Sequence, residues 1–220
     1  MALAIFDLDH TLLDGDSDHA WGQYLVDSGL VDSAVHKHRN DHFYEQYKAG
    51  TLNIHEYLEF AMKPLTQYPL QQMLDARAAF LKERILPLIS QKSRDLIAHH
   101  KRLGDTLLII TATNGFVTYP IAELLGIEHI IAPHPEFVNG GYTGRTVGVP
   151  SFQHGKVIRL NDWLEQQGFA LTDSWFYSDS HNDLPLLEIV DHPVAVDPDD
   201  KLRAVAQAHN WPVISLRDGV

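Results

Sequence analysis

The chain has 220 residues, of which 45% are hydrophobic, enough for one well-formed core or for a core with a smaller inserted unit. Its 17 basic and 29 acidic residues give a net charge of −12, which argues against nucleic acid and anionic membranes as partners. The absence of Cys excludes disulfides and thiolate metal sites, and no apolar run approaches the roughly 18 residues of a membrane-spanning helix. Asp7 interrupts the N-terminus before a signal-peptide core could form, so we expect a soluble, cytoplasmic protein.

The first predicted element is a short apolar strand that ends at Asp7 and Asp9. Beyond residue 13 the apolar residues recur every three or four positions, which predicts helices near 18–28, 31–48, 53–63 and 69–84. Gly29, Gly50 and Pro64 separate these segments. We therefore predict an all-helical unit at 15–88, inserted into a domain formed by 1–14 and 89–220.

From residue 90 the pattern alternates between helices and short apolar strands. The predicted helices are 90–103, 116–125, 154–167, 182–189 and 199–209, and the strands are 106–110, 127–132, 175–177, 194–196 and 213–214. Such alternation predicts an α/β fold with a Rossmann-like parallel sheet covered by helices on both faces. The exception is 137–147, where Asn139-Gly140-Gly141 predicts a β-hairpin.

Ligands of such sheets bind beyond the carboxyl ends of the strands, so the polar residues that close each strand are the candidate site. Four groups stand out: a carboxylate pair with Thr11, the polar segment 111–115, a lysine at 156 near a helix start, and the acidic segment 178–183. Two neighbouring buried carboxylates are costly unless a cation or a transferred proton compensates them. The combination predicts a site for phosphate and Mg²⁺.

These groups resemble the four signatures of the haloacid dehalogenase-like superfamily of phosphohydrolases. The DxDxT signature is at 7–11, the hydrophobic strand ending in Thr is at 108–111, the lysine is Lys156, and DxxxD is at 179–183. The helical insert at 15–88 resembles the C1 cap of that superfamily. The start at 9–16 and the Gly-Gly-Tyr-Thr-Gly hairpin at 140–144 are most similar to the phosphoserine-phosphatase-like branch, subfamily IB.

The resemblance implies a role for each signature residue. Asp7 would be the nucleophile that forms an aspartyl-phosphate, and Asp9 would be the general acid–base. Thr111 and the backbone N–H groups after it would hold the phosphoryl group, and Lys156 would offset its charge. Mg²⁺ would be bound by the carboxylates of Asp7 and Asp179 and by the backbone carbonyl of Asp9.

Other residues have less specific assignments. Asp183 is a candidate metal-site residue. It either hydrogen-bonds to metal-bound waters or to Lys156, or it is a first-turn helix residue that the helix dipole stabilises. The candidate substrate-binding residues are Thr11, Asp16, Ala112, Thr113 and Asn182. The aromatic residues of the insert are interpreted as buried seams between its helices. The crowded His36, His38 and His42 are interpreted as surface or core histidines, because their spacing does not place them on one helical face.

The expected substrate is a small phosphorylated metabolite. Asp16 stands where phosphoserine phosphatases carry an acidic residue, but the chain has no arginine between Arg39 and Arg77 to bind a substrate carboxylate. This disfavours phosphoserine and favours an amino-alcohol phosphate such as histidinol phosphate. Two alternatives stay open, a phosphotransferase or mutase that uses the same intermediate and a non-catalytic module that binds phosphate and metal. The oligomeric state is not predicted.

Overall fold

The computed structural model describes residues 2–219. The strands are β1 Leu3–Phe6, β2 Thr106–Ile110, β3 His129–Ile131, β4 His134–Val138, β5 Gly141–Val147, β6 Trp175–Ser178, β7 His192–Val196 and β8 Val213–Ile214. The α-helices are α1 Ser17–Asp27, α2 Ser33–Ala49, α3 Ile54–Met62, α4 Leu70–Phe80, α5 Gln91–Leu103, α6 Gly115–Leu125, α7 His154–Gln167, α8 Leu184–Leu187 and α9 Asp200–His209. Short helical turns lie at Leu8–Leu12, Lys63–Thr66, Leu81–Ile85, Leu86–Leu88 and His181–Asp183.

Six strands form one parallel sheet in the order β3-β2-β1-β6-β7-β8. Alternate residues of each central strand enter two separate cores, because successive side chains of a strand point to opposite faces. Phe6 and Ile109 belong to the core under α5 and α6, whereas Ile5 and Ile110 belong to the core under α7, α8 and α9. The predicted parallel sheet with helices on both faces is confirmed.

Helices α1 to α4 and three short helical turns occupy most of residues 17–88. Asp16, Asp32 and Asn53 cap the N-termini of α1, α2 and α3 by accepting backbone N–H groups. Gly50 ends α2 in the left-handed conformation at φ 77°, which glycine adopts without strain. The insert shares the first core of the sheet, and the Asp14 N–H donates to the Leu88 carbonyl at 2.8 Å, so its two connections to the sheet lie side by side.

The hairpin predicted around Asn139-Gly140 is confirmed as the antiparallel pair β4 and β5. Asn139 and Gly140 form its two-residue loop with φ of 52° and 85°. Positive φ at both positions is the requirement of a type I′ turn, which Asn-Gly meets. The hairpin rests on the rest of the fold through Tyr142, whose ring packs edge-on against Phe116 of α6 at 5.4 Å.

Several boundaries differ from the sequence prediction, among them those of two elements of the sheet domain. The helix expected at 182–189 is a short turn followed by α8, because Pro185 supplies no N–H and favours the first turn of a new helix. The strand expected at 127–132 is shortened to three residues, β3. Within residues 2–219, no helix is both long and apolar enough to cross a membrane.

Candidate active site

The strand order brings three of the four signatures together. β1 lies between β2 and β6, so Asp7, Thr111 and Asp179 each follow one of three adjacent parallel strands at the same edge of the sheet. The Asp7 N–H donates to the Tyr177 carbonyl at 2.9 Å, and the Thr111 N–H donates to the Ile131 carbonyl at 3.0 Å. Backbone pairing therefore continues to the point where the functional side chains begin.

Lys156 joins the fourth signature to the first. Its side chain is only 2% exposed, and its Nζ lies 2.8 Å from Asp7 Oδ1 and 2.7 Å from Asp183 Oδ1. Burial alone would lower the pKa of Lys156, but the charges of Asp183 and Asp7 raise that pKa above its ordinary value. Asp183 also accepts the Ser178 hydroxyl at 2.7 Å. The lysine is thus charged and fixed between two carboxylates, as expected for a residue that offsets the charge of Asp7 and a phosphate.

Asp9 has a different environment. It accepts the Ser17 N–H at 2.6 Å and the Thr113 hydroxyl at 2.7 Å. Burial, followed by the charge of Asp16, raises the pKa of Asp9 well above its usual range. Asp9 therefore holds a proton under conditions in which an exposed aspartate would have lost it, which is the state a general acid requires.

The turn that carries Asp9 has an unusual backbone. His10 has a φ of 55°, and its carbonyl accepts the Arg217 guanidinium from the C-terminal segment. Arg217 also pairs with Asp14 at 2.8 Å. His10 Nε2 lies 3.1 Å from the Tyr44 hydroxyl of α2. The turn is held from both the C-terminal segment and the insert, and this fixes the position of Asp9.

Asp179 lies beside Asp7. Burial raises the pKa of Asp179, and the charges of Asp7 and Asp183 raise it further. The Thr11 hydroxyl is 3.1 Å from both Asp179 Oδ1 and its backbone N. The buried Asp7 and Asp183 thus share the single charge of Lys156, and the half-buried Asp179 adds a third carboxyl beside them. This grouping of acids around one lysine suits a divalent cation.

No cluster of three or more carboxylate or histidine side chains forms a ready metal cage in residues 2–219. Instead, Asp183 pairs with Lys156, whereas Asp7 and Asp179 interact with each other. A site with two protein carboxylates suits Mg²⁺, which keeps several waters and is completed by substrate phosphate. The donors therefore fit that ion.

A cavity opens beside these groups, between the sheet edge and the insert. From the sheet domain it is lined by Asp7, Asp9, Thr111, Ala112 and Thr113. From the insert it is lined by Asp16, Asp18, His19, Asn40, Phe43, Tyr44, Tyr47, Leu52, Ile54 and Tyr57. Residues 111–113, which are expected to bind phosphate, and the acidic start of α1 thus line the same cavity, with aromatic side chains forming much of the wall.

The remaining candidate residues lie around the cavity rather than on its wall. Thr11 is buried and bonded to Asp179. Asn182 is also buried, and its amide donates to the Tyr47 carbonyl at 3.0 Å and accepts from Gln153 at 3.0 Å. Asn182 therefore ties the fourth signature to α2, a positional role. Substrate contact by Thr11 and Asn182 stays a prediction.

Sequence reasoning missed part of the insert wall. Phe43 and Tyr57 do pack on Phe60 as an internal seam, but the same two residues also line the cavity, with Tyr44 and Tyr47. Asp18 was not singled out, although it is buried and lines the same space. The only signal in the sequence is the pair of acids, Asp16 and Asp18, flanking Ser17 at the start of a helix, and that pattern is also an ordinary helix N-terminus.

Comparison with known proteins agrees with this geometry. The model of the haloacid dehalogenase-like hydrolase family matches residues 4–188. The chain belongs to that family. A histidinol-phosphatase of Neisseria meningitidis serogroup C is 44% identical over 98% of this chain and 99% of its own length. A phosphoserine phosphatase of Mycobacterium tuberculosis is 30% identical over 98% of this chain and 71% of its own length.

Solved structures of this family share the fold. A protein of unknown function from Bordetella pertussis Tohama I has a TM-score of 0.92 at 44% identity, covering 98% of this chain and 99% of its own. A phosphoserine phosphatase solved as a phospho-aspartyl intermediate analogue has a TM-score of 0.71 at 18% identity, covering 98% and 93%. The predicted superfamily and the predicted enzyme class, a phosphatase, are confirmed, and this removes the non-catalytic alternative.

Proposed function

We propose that the protein is a Mg²⁺-dependent phosphomonoesterase that acts through an aspartyl-phosphate on Asp7, with histidinol phosphate as its substrate. The observation that carries the proposal is the buried pairing of Lys156 with Asp7 and Asp183, next to Asp9, whose pKa burial raises well above its usual range. This arrangement supplies a nucleophile with a fixed countercharge and a separate proton donor.

In the first half of the reaction, an Asp7 carboxylate oxygen attacks phosphorus and the bond from phosphorus to the leaving alcohol oxygen breaks. Asp9 delivers its proton to that oxygen, so the product leaves as a neutral alcohol. Thr113, which donates to Asp9 at 2.7 Å, keeps the carboxyl oriented for this transfer. In the second half, Asp9 takes a proton from water, the water oxygen attacks phosphorus, and the bond to Asp7 breaks to release phosphate.

Asp7, Asp179 and the backbone carbonyl of Asp9 would hold Mg²⁺. The ion would supply charge neutralisation for the phosphate dianion and for the acids around it. It would also lower the raised pKa of Asp7, because a bound dication favours the ionised carboxylate. Lys156 performs part of this neutralisation within the protein itself, since it is held 2.8 Å from Asp7 Oδ1.

Two observations support histidinol phosphate. The relative of Neisseria meningitidis that is 44% identical over nearly both whole chains carries the name histidinol-phosphatase. In addition, Asp16 and Asp18 line the leaving-group side of the cavity, and no lining residue among those described is a lysine or arginine. Such a surface disfavours the carboxylate of phosphoserine and suits a leaving group with basic nitrogen.

The insert at 15–88 would act as the cap that encloses the leaving group. This part of the proposal rests on the ten lining residues that the insert contributes and on the contact between Asn182 and the Tyr47 carbonyl. The cytoplasmic location and the absence of nucleic-acid and membrane partners stay predictions from composition.

The test is hydrolysis of histidinol phosphate, phosphoserine and p-nitrophenyl phosphate, measured with Mg²⁺ and with EDTA. We expect activity only with Mg²⁺, the highest kcat/KM on histidinol phosphate, and no turnover by Asp7→Asn. Asp75→Asn, an exposed acid on α4, is the matched control and should behave as wild type. Turnover by Asp7→Asn would refute covalent catalysis, and full activity in EDTA would refute the metal requirement.

Added alcohols separate hydrolysis from phosphoryl transfer. A hydrolase releases inorganic phosphate in equal amount to the alcohol product, whatever other small alcohols are present. Accumulation of a new phosphate ester in place of inorganic phosphate would identify a phosphotransferase. Mass spectrometry of acid-quenched enzyme should find the phosphoryl group on the peptide that contains Asp7.

A further inference from the structure

A buried acid of the insert stands apart from the catalytic groups. Asp18 lies in the first turn of α1, is 7% exposed, and lines the cavity. The Asn114 amide donates to Asp18 Oδ1 at 3.3 Å, and the Tyr57 hydroxyl also hydrogen-bonds to the carboxyl. Asn114 is oriented for this contact because its own oxygen caps α6. Asp18 is therefore held in place by three different elements.

The charges around Asp18 are unbalanced. Asp9 and Asp16 line the same cavity, and no cationic lysine or arginine is found among the lining residues that the structure describes. Two cations of the insert are directed elsewhere, since Arg39 stacks on Phe60 at 4.8 Å and lines a separate surface groove with Lys63. An acid buried without a cation is costly to a fold. Asp7 has Lys156 as its partner, but Asp18 forms no ion pair with a lysine or arginine among residues 2–219.

Asp16 does not have the same role. Its Oδ1 accepts the backbone N–H groups of Asp18 at 2.9 Å and His19 at 2.7 Å, so its charge is engaged by the start of the helix. It is also more exposed than Asp18. The two acids thus differ, one being a helix cap at the cavity wall and the other a buried carboxyl held by side-chain donors.

The cavity that Asp18 lines is also rich in aromatic side chains. Phe43, Tyr44, Tyr47 and Tyr57 all line the cavity, and π faces attract cations within about 6 Å of the ring. Aromatic walls also exclude water and strengthen an ionic contact inside. A protonated nitrogen would therefore be favoured by the charge of Asp18 and by the surrounding rings, whereas a carboxylate would be disfavoured by both.

We propose that Asp18 is a specificity-determining residue that binds a protonated nitrogen on the leaving group, with Tyr57 and Asn114 holding its carboxyl in place. This rests on the proposed phosphatase function and narrows its substrates to phosphomonoesters of alcohols that carry a basic nitrogen. Asp18 takes no part in bond breaking, so its effect is confined to substrates with that nitrogen.

The test compares Asp18→Asn, Tyr57→Phe and wild type on histidinol phosphate and on p-nitrophenyl phosphate, which has no basic nitrogen. Asp27→Asn, which changes the same charge at the exposed end of the same helix, is the control. We expect Asp18→Asn to lower kcat/KM on histidinol phosphate roughly tenfold to a hundredfold, mainly through KM, as for loss of a charged hydrogen bond. Activity on p-nitrophenyl phosphate should stay within about twofold, and Tyr57→Phe should show a smaller loss of the same selectivity.

A second measurement is independent of catalysis. Calorimetry with histidinol, the alcohol without phosphate, should show binding to wild type and to Asp27→Asn, and binding weakened by Asp18→Asn in the same proportion as the kinetic loss. If wild type hydrolyses neither phosphate ester, the proposed function fails, and this titration still decides the role of Asp18.

Three results would overturn the inference. The first is an equal loss on both substrates, which would make Asp18 part of the chemistry or of the fold. The second is no loss on either substrate. The third is histidinol binding that is absent in wild type or unchanged by Asp18→Asn, even where hydrolysis of p-nitrophenyl phosphate shows that the phosphatase is intact.

Discussion

Replacement of Asp18 by asparagine should stabilise the protein above neutral pH. Burial raises the pKa of Asp18 from 3.8 to about 7, so the folded state resists ionisation of a group that the unfolded chain ionises readily. The stability that this carboxyl contributes is fully present below its unfolded pKa and is lost as pH rises toward 7. Asparagine is neutral at every pH and has no such loss.

The magnitude follows from the size of the shift. At about 1.4 kcal/mol per pKa unit, ionisation of Asp18 in the folded state costs up to about 4 kcal/mol at pH 8. Asparagine offsets part of this gain, because one of the two acceptor oxygens that face Tyr57 and Asn114 becomes an NH₂ donor, so we expect a net stabilisation of about 2 to 3 kcal/mol. For a chain of this length, that raises Tm by roughly 4 to 12 °C.

The assay is urea unfolding of metal-free protein at pH 5, 6, 7 and 8, with Tm measured in parallel. The difference between Asp18→Asn and wild type should be small at pH 5, grow through pH 6 and 7, and level off above. Asp27→Asn, whose carboxyl is exposed and paired with Arg84, should show a difference near zero that does not follow this curve. A pH-independent difference for Asp18→Asn, or a destabilisation that deepens with pH, would refute the reasoning.

Three further outcomes are expected. Lys156→Met leaves Asp7 and Asp183 buried without their cation, so chemical denaturation at pH 7.5 should show a free energy of unfolding lower by about 3 to 5 kcal/mol. Turnover should fall below detection, and a variant as stable as wild type would contradict this prediction. Asp9→Asn should still release p-nitrophenol in a burst, since that leaving group needs little protonation, and then stall as phosphorylated enzyme, whereas histidinol phosphate should give no burst. An equal loss of steady-state turnover on both substrates, without a burst, would argue against the acid–base role of Asp9. Asn182→Ala removes the hydrogen bond to the Tyr47 carbonyl, so limited proteolysis near residue 50 should be several-fold faster, and KM should rise more than kcat falls. An unchanged proteolysis rate would show that this hydrogen bond does not hold the segment in place.

The fold was largely predictable because its signals are local. Each signal lies within a few residues of the element that it predicts. Examples are the apolar strands, the helices that end at Gly104, Gly126 and Gly168, and the Asn139-Gly140 turn. The boundaries that failed, such as the helix expected at 182–189, depend on one proline and on how the chain packs around it.

The convergence of the candidate residues of the sheet domain was also predictable, for a topological reason. Asp7, Thr111 and Asp179 follow strands, and a parallel sheet brings the ends of adjacent strands together without further information. No comparable topological rule predicts which side chains of the insert line the cavity. Asp18 and Tyr57 are far apart in the sequence, and they converge only because α1 and α3 pack in one arrangement, so neither residue type nor spacing distinguished them from ordinary helix positions.

The hydrogen bond between the Asp14 N–H and the Leu88 carbonyl, at 2.8 Å, has a consequence for engineering. Since the chain leaves the sheet and returns to it at neighbouring points, the intervening helices form a cassette whose ends already meet. A cassette from another relative could be grafted at the same two positions without altering the register of the sheet, provided that it keeps the apolar residues through which the insert shares the first core. The helices that line the leaving-group side of the cavity could then be exchanged without changing the residues at the edge of the sheet.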